Sequence, residues 1–179
     1  ACEADFSKTA LKYLSQRLFT EETQIFIVPD GIKTTKNLPG NILLANRNLV
    51  EDFEDPDVLA GYLVVEKLRS ETYNPIEELL QNISLISTFR LLTTGLINDD
   101  TLMDYADYLV TKPEEIVQSS EIIKAFNDTN LSLLPFAKAI DITGEGSLEL
   151  IEAFEIRNSP VETSLPDANW VSLQNICNR

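Results

Sequence analysis

Residues 37–69 read NLPGNILLANRNLVEDFEDPDVLAGYLVVEKLR. Leu38-Pro39-Gly40-Asn41 is a turn, since proline and glycine punctuate chains where the backbone must reverse. Ile42-Leu43-Leu44-Ala45 then has the length and branching of a buried strand, and Asn48 opens a short helix over about 48–53. Asp55 and Pro56 suit an N-cap and a first helical position, where a side-chain acceptor helps and a missing N–H costs nothing. The helix they open is expected to run from Pro56 to about Glu71. Val58, Leu59, Tyr62, Leu63, Val64, Val65 and Leu68 cover more than half its circumference. A helix apolar on most sides lies at the centre of a fold, packed on several neighbours.

Outward from this segment, Phe6, Ala10, Leu11, Leu14 and Leu18 form a helical stripe over 5–18. Gln24–Val28 is β-rich and ends at the turn Pro29-Asp30-Gly31, and 31–37 are polar. Helices are expected over 75–94 with Gly95 as C-cap, over 98–110 behind Asn98-Asp99-Asp100, briefly from Pro113, and over 119–127. Phe136–Ile140 and Ser147–Phe154 flank Thr143-Gly144-Glu145-Gly146, which predicts a β-hairpin across 135–155. An irregular stretch, 157–167, precedes a closing helix over 169–177 in which Trp170, Leu173 and Cys177 share a face. The expected fold is a single α+β domain spanning 1–179, mainly helical, with a small β-sheet and hairpin.

Composition removes several classes of function. The chain contains no histidine, so no imidazole base or imidazole metal ligand exists. Acidic residues outnumber basic ones 29 to 14, for a net charge of −15. With no basic cluster, nucleic acid and anionic lipid surfaces are poor partners, and the charge reads most simply as solvation. No stretch reaches the roughly 20 apolar residues of a membrane span, so no transmembrane segment is expected. The two cysteines, Cys2 and Cys177, lie at opposite ends of the sequence. They suggest a disulfide staple worth about 4–5 kcal/mol of loop entropy, and hence an oxidising, periplasmic or secreted setting. Two unrelated thiols are the plain alternative. The opening Ala1-Cys2 is what a mature form or an excised domain would show.

The order Leu38-Pro39-Gly40, Ile42–Ala45, Leu49-Val50-Glu51 and Leu59-Ala60-Gly61 resembles the core of HExxH zinc peptidases of the CAAX-prenyl-endopeptidase and HtpX type. The resemblance implies a metallopeptidase-like core over 37–110. It places the metal-binding pentad on Val65-Glu66-Lys67-Leu68-Arg69, where only the glutamate is kept. Valine has no lone pair and arginine is a permanent cation, so neither ligates zinc. The family's later Glu-x-x-Ala-Asp motif falls on Met103-Asp104-Tyr105-Ala106-Asp107, with Met103 at the ligand position and Asp104 about 100° around the helix. The resemblance thus implies a non-catalytic pseudo-peptidase of the cell envelope, without zinc. Its remnant cleft, lined by Val65, Glu66, Arg69, Met103 and Asp104, would take a protein or peptide along a strand edge. Glu66 acting alone as the base of a non-zinc hydrolase is a second possibility, although a lone carboxylate does not generate hydroxide at neutral pH. Its plain reading is an ion pair with Arg69, three residues on.

Residues 141–152, DITGEGSLELIE, also fit a calcium loop. Asp141, Thr143, Glu145 and Glu152 stand at positions 1, 3, 5 and 12, with Gly146 at 6 and Leu148 at 8. Calcium is the one cofactor this sequence suggests, in a structural binding module. The same glycine spacing suits a hairpin turn, and Pro135 stands where an incoming helix would have to be. No Gly-x-Ser-x-Gly elbow or phosphate-binding glycine loop occurs.

Overall fold

In the computed structural model, segment 37–69 supplies one strand and the helix on which most of the fold is assembled. The structure describes all residues except 1, 3, 4, 73, 74, 83–93, 96–98, 142, 144, 157–159, 178 and 179; for 5, 6, 75, 76, 82 and 110 it describes the backbone alone. In chain order the elements are α1 (Asp5–Leu18), β1 (Gln24–Val28), β2 (Thr35–Leu38), β3 (Ile42–Asn46), α2 (Asn48–Glu51), α3 (Pro56–Thr72), α4 (Pro75–Asn82), α5 (Asp99–Thr111), α6 (Ser119–Asp128), α7 (Leu133–Ile140), α8 (Leu148–Ile156) and α9 (Asp167–Gln174). The chain is mainly helical, with one small sheet, as expected.

The sheet has the order β1-β3-β2. β1 runs parallel to β3, with Phe26 opposite Leu44, and β2 runs antiparallel to it, with Asn37 opposite Leu43. Gly40 (φ 88°) and Asn41 (φ 57°) make the turn between β2 and β3, a backbone state that glycine and asparagine tolerate best. β2 was not visible as a strand in the polar run 31–37. Its inward residues are Thr35 and Asn37, both buried, so it lacks the apolar alternation by which strands are recognised.

Helix α3 starts as its sequence dictates: Asp55 Oδ1 accepts the Asp57 N–H at 2.9 Å. Leu59, Ala60 and Leu63 are fully buried, and Val58, Val64 and Val65 nearly so. The helix touches α1, α2, α6, α7, β2 and β3, which explains an apolar surface on most sides. At Gly61 it meets Phe136 of α7, where a Cβ would lie 2.6 Å from the Phe136 Cβ. Phe136 in turn packs edge-on to Tyr62 and tilted against Phe126, with ring centroids 5.3 and 5.5 Å apart.

Three expectations are corrected. Residues 135–155 do not form a hairpin: α7 and α8 flank the turn around 141–147. Pro135 occupies the first turn of α7, where an N–H would have no intrahelical partner, so it does not break the helix. Leu133, Phe136 and Ala137 are buried at helical spacing. Pro113 opens no helix; 113–118 run without regular structure to α6. The closing helix stops at Gln174, leaving Cys177 in a turn beyond it. The expected helix over 75–94 is described for α4, and 83–93 lie outside the described residues; Gly95 has φ 70°.

Cys2 and Cys177 meet close to where α9 packs on α1. Ser7 Oγ donates to the Ser172 carbonyl at 2.9 Å, and the Cys2 and Cys177 sulfurs stand at the disulfide distance of 2.05 Å. Among the described residues no helix is long and apolar enough to cross a membrane.

Candidate functional site

Glu66 sits near the C-terminal end of α3, on the face that lies against β2. Only 3% of it is exposed, so its charge must be met inside the protein. Its Oε1 accepts the Asn37 N–H at 2.8 Å. Its Oε2 accepts the Arg69 Nη1 at 3.1 Å and, at 3.4 Å, the Thr35 hydroxyl. β2 is the edge of the sheet, bonded to β3 along one side. The Asn37 N–H therefore belongs to the outer edge, and Glu66 caps it from below.

Arg69 binds three acceptors at once. Besides Glu66, its Nη2 pairs with Glu114 at 3.2 Å and its Nε donates to the Glu115 carbonyl at 3.0 Å. The Glu115 carboxylate accepts from the Thr72 hydroxyl at 2.9 Å and pairs with Lys112 at 3.4 Å. These contacts hold its carboxyl below the usual range, the Thr72 hydrogen bond first, then the Lys112 and Arg69 charges. Lys112 also pairs with Glu78, which accepts the Tyr108 hydroxyl at 2.9 Å. Burial alone would lower the Lys112 ammonium, but the Glu78 bond and charge outweigh it and raise it. Nearby Tyr105, buried against Leu79 and Leu109, is pushed up to about 12, mainly by burial and further by the Glu78 charge. What remains between Glu66, Arg69, Lys112, Glu114 and Glu115 is a cavity of about 20 Å³, room for about one water and too little for a ligand side chain.

Of the five residues expected to line the remnant cleft, the structure brings together Glu66 and Arg69. Val65 is buried in the main core. Met103 is 68% exposed and Asp104 is exposed too, on the outer face of α5, because that helix turns Tyr105 and Leu109 inward. These residues do not fit zinc. Among the described residues no three Asp, Glu or Cys side chains converge to hold a metal ion. Thr72 of α3 and the more distant Thr35, Asn37, Lys112, Glu114 and Glu115 complete the site and had no signal in the sequence; the distant segments meet across separations such as the 29 residues between Asn37 and Glu66.

At the turn between α7 and α8, Asp141 organises its own loop. Its Oδ1 accepts the Thr143 N–H at 2.9 Å, and its Oδ2 accepts the Gly146 N–H. A Cβ on Gly146 would lie 3.1 Å from that Oδ2. Glu145 and Glu152 are exposed. Two larger surface hollows lie elsewhere. One, of about 700 Å³, runs between α1 and β1, past Leu11, Phe19 and Ile25. The other, of about 1070 Å³, lies beside Arg17, Lys67, Lys124 and Glu121.

The chain matches no protein-family model, no curated protein and no solved structure.

Proposed function

We propose that this chain is a non-catalytic, zinc-peptidase-like domain that binds an extended protein or peptide segment at the Glu66–Arg69 site. The observation that carries the reading is the state of Glu66. Both of its oxygens are engaged, one by a backbone N–H of the edge strand and one by a guanidinium. A general base needs an oxygen directed at a proton to be removed, and neither is available. This argues against a hydrolase built on Glu66. An antiparallel edge strand lying directly over the helix that carries the pentad supports the resemblance to the HExxH peptidases, whose substrates extend along a strand edge. The Cys2–Cys177 pair supports a periplasmic or secreted setting, since disulfides persist in oxidising compartments.

The test has two arms. In the first, a quenched-fluorescence peptide mixture is incubated with the protein, with and without added zinc; no cleavage is expected, and zinc-dependent turnover would overturn the reading. In the second, binding of random-sequence peptides is measured by fluorescence anisotropy. Dissociation constants below about 1 mM are expected, and none in that range would remove the binding function.

One observation favours a second reading. Residues 141–147 join two helices, residues 148–152 open the second of them, and Asp141 is already oriented by loop N–H groups, so the objection raised by Pro135 falls away. On this reading the loop is a calcium-binding structural module, with Asp141, Thr143, Glu145 and Glu152 as its side-chain ligands. Glu152 would have to turn toward the loop. A calorimetric titration with calcium that gives neither heat nor a shift in melting temperature would exclude it.

A further inference from the structure

The cavity at Glu66 is small because the chain itself fills it. After α5 the backbone crosses the end of α3 as a strap, 113–118, before entering α6. The strap is fastened almost wholly by polar contacts: Glu114 and the Glu115 carbonyl to Arg69, the Glu115 carboxylate to Thr72 and Lys112, and Glu114 to the Thr34 hydroxyl at 3.4 Å. Residues 113–117 make no backbone–backbone hydrogen bond to another described residue. Val117 is the apolar anchor, while Ile116 is 89% exposed. The Glu114 and Glu115 side chains are 38% and 42% exposed while their Arg69 and Lys112 partners are 17% and 18% exposed, so solvent and salt reach each pair from the strap's side and weaken it. Segments held this way open locally at low free energy.

The charge beneath the strap shows what it supplies. Around the cavity, apart from the strap, stand three cations (Lys36, Arg69 and Lys112) and two carboxylates (Glu66 and Glu78). In a chain of net charge −15, this is a local surplus of positive charge. Arg69 presents Nη2 to a carboxylate and Nε to the next residue's carbonyl, a pair of acceptors that an acidic residue in an extended peptide reproduces.

We propose that the strap is a tethered, displaceable occupant of the Glu66–Arg69 site, and that the site's external ligand is an extended acidic peptide. A ligand carboxylate takes the place of Glu114 on Arg69, and the following carbonyl takes that of Glu115. The inference rests on the peptide-binding reading above and specifies its ligand. Because the strap is covalently attached, it competes at an effective concentration in the millimolar range. The closed form therefore binds weakly until the strap is loosened.

The test uses a fluorescent heptapeptide copying residues 112–118, Lys-Pro-Glu-Glu-Ile-Val-Gln, and a twin with both glutamates replaced by glutamine. Each is titrated into the wild-type protein and into the double variant Glu114→Gln, Glu115→Gln, whose changes are at exposed side chains. The acidic peptide is expected to bind the variant about tenfold or more tighter than it binds wild type, and more tightly than the twin does. Amide deuterium uptake at 113–117 should rise in the variant. It should also rise in wild type with excess acidic peptide, a measurement that does not depend on the variant folding. Equal binding of the two peptides, absence of binding to the variant, or unchanged uptake in both experiments would overturn the proposal. If random neutral peptides bind wild type while the acidic one fails, the acidic-ligand inference falls and the peptide-binding reading survives. If no peptide binds either protein, both fall.

Discussion

Glu66 carries its charge in a nearly closed environment, and its three partners determine what replacement should do. Glu66→Ala leaves the Asn37 N–H and the Arg69 guanidinium, itself only 17% exposed, without their acceptor. Breaking a buried pair from one side costs about 3–5 kcal/mol, and that range is expected in urea unfolding. Glu66→Gln keeps an oxygen for Asn37 and should lose less, by about 1–2 kcal/mol relative to the alanine variant. Equal midpoints for the two variants and wild type would show that the carboxylate is not the clamp described here. Asp57 presents the opposite case. It accepts the Ser164 N–H at 2.9 Å, yet burial outweighs that bond and pushes its carboxyl above the ordinary 3.8. The folded state thus binds this proton more tightly than the unfolded chain does. The resulting stabilisation is full below 3.8 and is lost as pH rises through the folded value. Asp57→Asn removes the charge and retains an acceptor. Its stability relative to wild type should therefore be higher at about pH 7 than at about pH 3; the reverse order in denaturant midpoints would refute this account.

The crossing of α3 on α7 depends on one missing methyl group. Glycine inside a helix ordinarily costs about 0.5–1 kcal/mol against alanine, so Gly61→Ala would stabilise an open helix. Here the new Cβ would come within 2.6 Å of Phe136, and overpacking costs about 1–3 kcal/mol. A net loss of stability is expected, and a gain measured by thermal unfolding would mean that the two helices separate easily. The sequence made α3 legible because its cap and its all-round apolar surface are local signals, read without knowing the neighbours. The same holds for α1 and β1. It concealed β2, whose buried face is threonine and asparagine satisfied by a carboxylate from another element. It misled at 135–155, where glycines between two short apolar runs suit a hairpin and a helix–turn–helix equally. Helical burial of Leu133, Phe136 and Ala137 decides between them, and that depends on Gly61 and Tyr62 being there to receive Phe136. Of the site, Glu66 with Arg69 was readable as an i, i+3 pair. Glu114 and Glu115 were not, since nothing local tells a chain which distant carboxylate will meet an arginine.

Cys2 and Cys177 are each tied to an element of the main core. Cys2 donates its N–H to the Ile27 carbonyl at 2.8 Å, extending the hydrogen bonding of β1 beyond β3. Cys177 follows α9, whose Trp170 and Leu173 are buried in the core that also holds Leu14 of α1. Bonding these two sulfurs closes a loop with a separation of 175 residues. A loop of that length removes about 5 kcal/mol of unfolded-chain entropy in the simple closure model. The double variant Cys2→Ser, Cys177→Ser should keep the fold, because the α1–α9 packing and the Ser7–Ser172 bond remain. It should nevertheless melt about 10–20 °C below wild type, at about 2–4 °C for each kcal/mol in a chain of this size. Reduction of the wild-type protein with a dithiol should lower its melting temperature by a similar amount and leave the serine variant unmoved. If reduction left the wild-type protein unchanged, the staple would contribute nothing to stability, and the packing of α9 on α1 would be sufficient to hold both ends.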